Sequence, residues 1–197
     1  MKDCKIRRKF HKSIKPLTKT LVRYGIKPNT ITTSSLILLL PACYFLIDGE
    51  ERLFIILFSI ISFFDALDGA IAENEKLKTR FGGFYDAFSD RIVEGAVLFS
   101  LTIYNPSLSN LAFISLILSY LTSYIASWQK DLKNIGVGKR SIRLVVFIVS
   151  FIFGAIYYGL ILISILAVIT IFQRLWYMFK YYSSMHHPSQ TFNNEFG

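Results

Sequence analysis

The sequence predicts an all-α, polytopic membrane protein with about six transmembrane helices and an N-terminal amphipathic interfacial helix. Of its 197 residues, 53% are hydrophobic and only 18% are charged, which is less charge than a soluble domain usually carries. Several apolar runs approach the roughly 20 residues that a membrane-spanning helix needs. Because these runs follow one another closely, we expect no separate soluble domain.

Residues 1–27 are predicted to form a basic amphipathic helix on the membrane surface. They contain ten Lys or Arg residues and a single acid, Asp3. Apolar residues recur at helical spacing at Ile6, Phe10, Ile14, Leu17 and Leu21. The apolar side of such a helix lies among lipid headgroups and its basic side faces anionic lipid. A membrane partner is favoured over nucleic acid because the segment runs straight into an apolar stretch.

Six predicted spans form a membrane domain over residues 28–182, and a polar C-terminal tail follows over residues 183–197. The predicted spans cover residues 32–47, 53–72, 83–104, 108–128, 144–158 and 160–177. The break between the last two lies near Gly159 and is weak, so an alternative with five spans and one long tilted helix stays open.

The run between the second and third spans concentrates acids in an apolar context. Asp65 and Asp68 are three residues apart, and Asp86 and Asp90 are four apart, so each pair projects from one helix face. Acids at membrane depth indicate a functional site. Two carboxylates about 5 Å apart repel by roughly 3 kcal/mol at an effective dielectric near 20. Four that face one pocket need cations, and the run therefore predicts a metal site.

The small residues in this run suit a diphosphate ligand. Gly69, Ala72 and Gly82 would let a flat base or a diphosphate approach the backbone closely. Hard divalent cations prefer the oxygen ligands that the carboxylates supply, and they would neutralise a leaving phosphate. A neighbouring carboxylate could accept the proton of an attacking hydroxyl.

The distribution of Lys and Arg predicts the orientation. These residues concentrate in the N-terminal segment, in the loops over residues 73–80 and 129–143, and at the C-terminus, whereas the opposite loops contain only Arg52. By the positive-inside rule, both termini and the carboxylates face the cytoplasm. We therefore expect a multi-pass protein of the cell membrane with its active site on the cytoplasmic side.

Seven defined positions have the spacing Asp65-x2-Asp68-Gly69-x2-Ala72-x9-Gly82-x3-Asp86-x3-Asp90. This spacing resembles the signature of the CDP-alcohol phosphotransferases. These are integral membrane enzymes, often dimeric, that move a substituted phosphate from a CDP-alcohol onto a second alcohol and release CMP. One position departs from the signature, because Glu73 stands where the family has Arg. Arg80 and Lys76 are candidates to replace that charge, and a catalytically degenerate member is an open alternative.

The resemblance implies a donor that is a CDP-lipid, a homodimer in the membrane, and two divalent ions, Mg²⁺ or alternatively Mn²⁺. The implied metal ligands are Asp65, Asp68, Asp86 and Asp90. Asp90 is also the implied general base. The residues implied to border the CDP moiety are Asp68, Gly69, Ala72 and Gly82.

A second basic segment precedes the fifth predicted span and runs from Gly138 to Arg143. Alone it is typical of cytoplasmic anchoring, but Arg140 and Arg143 are three residues apart and could clamp a phosphate. The segment is similar to the G-x-RxxR region of the phosphatidylinositol-phosphate and archaetidylinositol-phosphate synthases, which use inositol phosphate as acceptor. The resemblance implies that Arg140, Arg143 and Lys139 bind the phosphate of the acceptor.

Other functions remain alternatives at this point. The same chemistry with glycerol phosphate or serine as acceptor would use the same carboxylates. An ion transporter also uses intramembrane acids, although it rarely needs them clustered at helix ends between glycines. A prenyl-diphosphate enzyme binds magnesium through aspartate pairs, but usually through DDxxD-type motifs rather than this spacing.

Overall fold

A computed structural model describes residues 14–128, 132 and 135–185. Within these residues the regular structure is helical, which confirms the predicted all-α class. The helices are α1 Lys15–Arg23, α2 Pro28–Ile47, α3 Glu51–Asn74, α4 Arg80–Tyr104, α5 Ser109–Trp128, α6 Arg140–Ile152 and α7 Ile156–Met185, with a short 3-10 turn at Pro106–Leu108.

Local sequence signals explain where the helices of the first half begin and end. Pro28 opens α2, where its missing N–H is not needed. Gly49, with φ +85°, allows the tight connection from α2 to α3. Thr79 caps α4, since its hydroxyl oxygen accepts a hydrogen bond from the Gly82 N–H at 2.9 Å.

Four of the described helical segments are long and apolar enough to cross a membrane. They are Pro28–Ile47, Glu51–Asn74, Pro106–Trp128 and Ile156–Tyr182. The third predicted span is also a continuous helix, α4, of 25 residues, but it carries Asp90, Arg91 and Glu94 in its middle. The chain is a membrane protein, and the predicted count of six spans is approximate.

The predicted boundary between the last two spans is wrong. α6 has only 13 residues, so it is about 20 Å long and shorter than a hydrocarbon core of about 30 Å. The helix breaks before Ile156, at Gly154 with φ +64°, and Gly159 lies inside α7. Glycine adopts this left-handed conformation without the steric penalty of a Cβ. α7 also runs past the predicted end of the sixth span to Met185.

The helices form two compact units that divide after Ala112. In the first unit, α2 packs along α3 and α4, and α1 packs against α3. Part of its core consists of Ile31, Leu67 and Ile71, with Leu21 and Val22 of α1 packed against them. The second unit pairs α6 with α7, and Phe147, Phe151 and Ala167 are among its buried residues.

The predicted interfacial helix is described only in part. α1 covers Lys15–Arg23, and residues 1–13 lie outside the described residues. Thr18 of α1 is fully buried and its hydroxyl donates to Glu75 at 3.1 Å, so α1 is attached to the loop that joins α3 to α4. Most of the predicted C-terminal tail, residues 186–197, also lies outside the described residues.

Candidate functional site

The carboxylates of α3 and α4 converge in the first unit. One carboxylate oxygen each from Asp65, Asp86 and Asp90 lie within 4.8 Å of one another. Asp65 comes from the second half of α3, whereas Asp86 and Asp90 lie one turn apart in the first half of α4. Two helices that are separate in sequence therefore bring three of the four predicted ligands into one cluster.

Asp68 lies outside this three-residue group and is 3% exposed. The Thr32 hydroxyl donates to its Oδ2 at 2.5 Å. Its Oδ1 is buried without a hydrogen-bond partner among the described residues. A buried carboxylate oxygen without a donor is unfavourable, and a bound cation would satisfy it.

These carboxylates fit a hard divalent cation. Carboxylate oxygens are the ligands that Mg²⁺ and Mn²⁺ favour, and oxygens within 4.8 Å of one another can share an ion. The orphaned oxygen of Asp68 adds an observation that is independent of the cluster. The residues that would hold metal are thus Asp65, Asp86 and Asp90, with Asp68 beside them.

Asp90 is 9% exposed and has a cationic neighbour that the sequence analysis missed. The Nη1 atom of Arg91 lies 3.4 Å from Asp90 Oδ2 and donates to the Ala87 carbonyl at 2.8 Å. The guanidinium is thereby held beside the carboxylate. Since Asp90 and Arg91 are adjacent in sequence, their pairing could have been predicted from the sequence.

A cavity of about 250 Å³ adjoins Asp86 and Asp68. It is lined by Pro28, Asn29, Thr32, Asp68, Gly69, Ala72, Leu77, Lys78, Thr79, Gly82, Gly83 and Asp86. All four residues predicted to border the nucleotide are therefore in its wall. A Cβ on Gly82 would lie 2.9 Å from Thr79 Oγ1 and 3.3 Å from Asn29 Oδ1, so a side chain there would force its neighbours apart.

The position that departs from the family signature lies beside this cavity. Glu73 is exposed on the last turn of α3, and its Oε2 lies 3.5 Å from Lys78 Nζ. Lys78 lines the cavity, whereas Lys76 and Arg80 do not line it. The sequence analysis considered Lys76 and Arg80 for this charge and missed Lys78.

The basic segment belongs to the second unit, at the start of α6. Arg143 is 4% exposed, and its Nη1 donates to the Gly138 carbonyl at 2.8 Å and to Thr122 Oγ1 at 3.2 Å. Lys139 and Arg140 are partly exposed. The three residues lie together, with Arg143 fixed in the interior of the unit.

A second buried arginine in this unit was missed by the sequence analysis. Arg174 of α7 is 5% exposed and donates to the Thr122 and Ile135 carbonyls. It lies within a long apolar helix, where nothing in the local pattern distinguishes a buried arginine from an interfacial one. The bonds of Arg143 and Arg174 attach the loop before α6 to the helices.

Comparison with known proteins finds similar sequences and similar solved structures. A family model described as CDP-alcohol phosphatidyltransferase matches residues 26–176. The archaetidylinositol phosphate synthase of Pyrococcus horikoshii is 32% identical over 177 residues, which cover 87% of this chain and 94% of that protein.

Solved structures of the Mycobacterium tuberculosis phosphatidylinositol phosphate synthase are also similar. The structure with CDP-DAG bound has a TM-score of 0.69 and 27% identity, and the match covers 82% of this chain and 90% of that one. The structure in complex with manganese and citrate has the same TM-score and identity, and the match covers 81% and 86% of the two chains.

Proposed function

The chain belongs to the CDP-alcohol phosphatidyltransferase family, and from that membership we propose how its residues divide the work of the reaction. The enzyme moves a lipid-linked phosphate from a CDP-diacylglycerol or CDP-archaeol type donor to inositol phosphate and releases CMP. The observation that carries the proposal is the convergence of Asp65, Asp86 and Asp90 beside a cavity that Asp68, Gly69 and Gly82 line.

The four aspartates are proposed to hold two divalent ions, Mg²⁺ or alternatively Mn²⁺. When bound, these ions neutralise the charge on the diphosphate of the donor. Thr32 keeps one oxygen of Asp68 oriented by its hydrogen bond at 2.5 Å, while Oδ1 has no hydrogen-bond partner in the part of the chain that the structure describes. Gly69, Ala72 and Gly82 leave room for the CDP moiety to lie against the helices.

Asp90 is proposed to act as the general base. Its carboxylate accepts the proton of the acceptor hydroxyl, whose oxygen forms a bond to the lipid-linked phosphorus. The bond between that phosphorus and the bridging oxygen of the diphosphate breaks, and CMP leaves with the electron pair. The low exposure of Asp90, 9%, keeps water away from the base.

Inositol phosphate is the proposed acceptor, and Lys139, Arg140 and Arg143 are proposed to bind its phosphate. The names of the similar proteins support this acceptor. Two guanidinium groups one turn apart suit a dianionic phosphate. In this arrangement Lys139 and Arg140 supply the accessible charge, and Arg143 adds its guanidinium from the interior while it also donates to the Gly138 carbonyl.

We further propose a homodimer in the cell membrane with both termini and the active site facing the cytoplasm. The orientation is supported by the concentration of Lys and Arg in the N-terminal segment and in the loop over residues 73–80. The basic side of α1, with Lys15, Lys19 and Arg23, suits contact with anionic lipid at that surface.

The acceptor is tested by measuring CMP release from a CDP-lipid by the purified protein with Mg²⁺. Inositol phosphate, glycerol phosphate and serine are supplied in turn at equal concentration. The proposal predicts the fastest release with inositol phosphate. Faster release with glycerol phosphate or serine would replace the acceptor and keep the reaction, whereas no release with any of the three would contradict the phosphotransferase function.

A further inference from the structure

The loop that joins α3 to α4 places a single lysine at the cavity that Asp68 and Asp86 line. Among the described residues that line the cavity, Lys78 is the only cation, and Asp68 and Asp86 are the acids. An unliganded cavity with this lining has a net negative charge. Any anion that enters it needs positive charge, and Lys78 is the residue of the lining that can supply it.

Lys78 is paired but not committed to its partner. Its Nζ lies 3.5 Å from Glu73 Oε2, and the two side chains are 66% and 44% exposed. Exposed ion pairs contribute little because water and salt screen them. A flexible ammonium of this kind can exchange one carboxylate for a phosphate that carries more negative charge.

The side of the cavity next to Lys78 favours an anion for a second reason. Thr79, the N-cap of the 25-residue helix α4, and Gly82 and Gly83 of its first turn all line the cavity. The dipole of a helix stabilises negative charge near its N-terminus. Asp68 also lines the cavity, and its buried Oδ1 has no hydrogen-bond partner among the described residues, so that a cation would satisfy it. A diphosphate that carries divalent ions fits both features.

We infer that Lys78 binds the phosphate groups of the cytidine nucleotide. Lys78 supplies this positive charge from the loop between α3 and α4, whereas Glu73 faces the solvent. The inference rests on the proposed function, because it concerns the donor of that reaction. Lys78 contacts the donor when the cavity is filled and pairs with Glu73 when it is empty. Glu73 is then a competitor of the nucleotide rather than its ligand.

The test compares CMP binding by the full-length protein in detergent, measured by calorimetry with Mg²⁺ present. Lys78→Met keeps most of the side-chain length and removes the charge. It should weaken CMP binding by about tenfold, because a charge-assisted contact is lost. Lys78→Arg should retain most of the affinity. Lys76→Met is the matched control, since Lys76 lies in the same loop, is exposed and does not line the cavity.

Two further readouts separate binding from a structural effect. CMP binding by the parent should weaken more steeply with rising salt than binding by Lys78→Met, because one phosphate contact is missing in the variant. Glu73→Gln should tighten CMP binding, since the competing carboxylate is gone. A loss of affinity in Glu73→Gln as large as that in Lys78→Met would show that the ion pair itself shapes the cavity and would overturn the inference.

The outcomes also separate this inference from the proposed function. If the parent binds CMP and Lys78→Met binds it equally well with the same salt dependence, Lys78 is not a nucleotide ligand, and the function stands. If the parent does not bind CMP in the presence of Mg²⁺, the proposed function fails, and the assignment of Lys78 to its nucleotide fails with it.

Discussion

Asp90 and Asp86 are the residues on which the proposed chemistry depends most directly. Asp90→Asn preserves the shape of a side chain that is 9% exposed and removes its ability to accept a proton. We expect turnover to fall by about a hundredfold or more in Asp90→Asn and in Asp86→Asn, in line with the usual effect of general bases and metal ligands. The measurement is CMP release by protein whose thermal unfolding matches that of the parent. Near-normal turnover in folded Asp90→Asn would remove it as the base.

Thr32 is expected to matter through Asp68 rather than through the substrate. Thr32→Val is nearly isosteric and deletes the hydroxyl that donates to Asp68 Oδ2. Since partners of metal ligands usually affect metal affinity by about 10–100-fold, the variant should need more Mg²⁺ for half-maximal activity. Thr33→Val is the control, because the Thr33 hydroxyl contacts Tyr85 instead. An identical Mg²⁺ requirement in parent and Thr32→Val would contradict this role.

At the residue scale, the sequence was sufficient for side chains whose spacing carries their chemistry. The aspartates of α3 and α4 are recognisable because they recur at helical intervals in an apolar context. Thr32 and Lys78 were not recognisable, because they reach the cavity only through the packing of α2 and the path of the loop before α4. Polar side chains in those positions look the same as ordinary cap or loop residues.

At the scale of the elements, Gly154 ends α6 and its conformation is the reason for the misplaced boundary. An added Cβ would meet no atom within 4 Å, so the effect of a substitution comes from the backbone at φ +64°. Gly154→Ala should destabilise the protein by about 1–2 kcal/mol, and Gly154→Asn by less, because Asn tolerates the left-handed region better. Thermal unfolding in one detergent measures both. Equal stability of the Ala variant and the parent would place the helix break elsewhere.

The sequence pattern predicted the long helices well, because apolar runs bounded by Pro, Gly and acidic turns define them. α2 and α3 begin and end within a few residues of the predicted spans. Gly154 and Gly159 both lie in the same apolar stretch, and local composition does not show which of them adopts a positive φ. That choice depends on tertiary packing, since a Cβ on Gly159 would clash with the Ser150 side chain.

At the scale of the whole molecule, the proposed topology places Glu50 outside the cell and Lys76 in the cytoplasm. Single-cysteine variants Glu50→Cys and Lys76→Cys, made after Cys4 and Cys43 are replaced by Ser, test this directly. A membrane-impermeant maleimide should label Glu50→Cys in intact cells and label Lys76→Cys only after the membrane is opened. The reverse pattern would invert the topology and move the active site to the outer face.

The class of the molecule was predictable from the sequence because composition and one motif are properties of the chain alone. The 53% hydrophobic composition indicates a membrane protein before any coordinates are known, and the spaced aspartates resemble the CDP-alcohol phosphotransferase signature, which implies the reaction. The cavity depends on distant segments, since Pro28, Asp68 and Gly82 meet only after folding. Its lining therefore required the structure.

The measurement that tests the central claim most directly is CMP release from a CDP-lipid and inositol phosphate, by the purified protein, with Mg²⁺ or with EDTA. One carboxylate oxygen each from Asp65, Asp86 and Asp90 lie within 4.8 Å of one another, and a divalent ion would offset the repulsion between their charges. The proposed mechanism therefore requires a divalent ion at this cluster. It predicts rapid release with Mg²⁺, none above background with EDTA, and recovery when Mg²⁺ is restored. Release at the same rate in EDTA would contradict it.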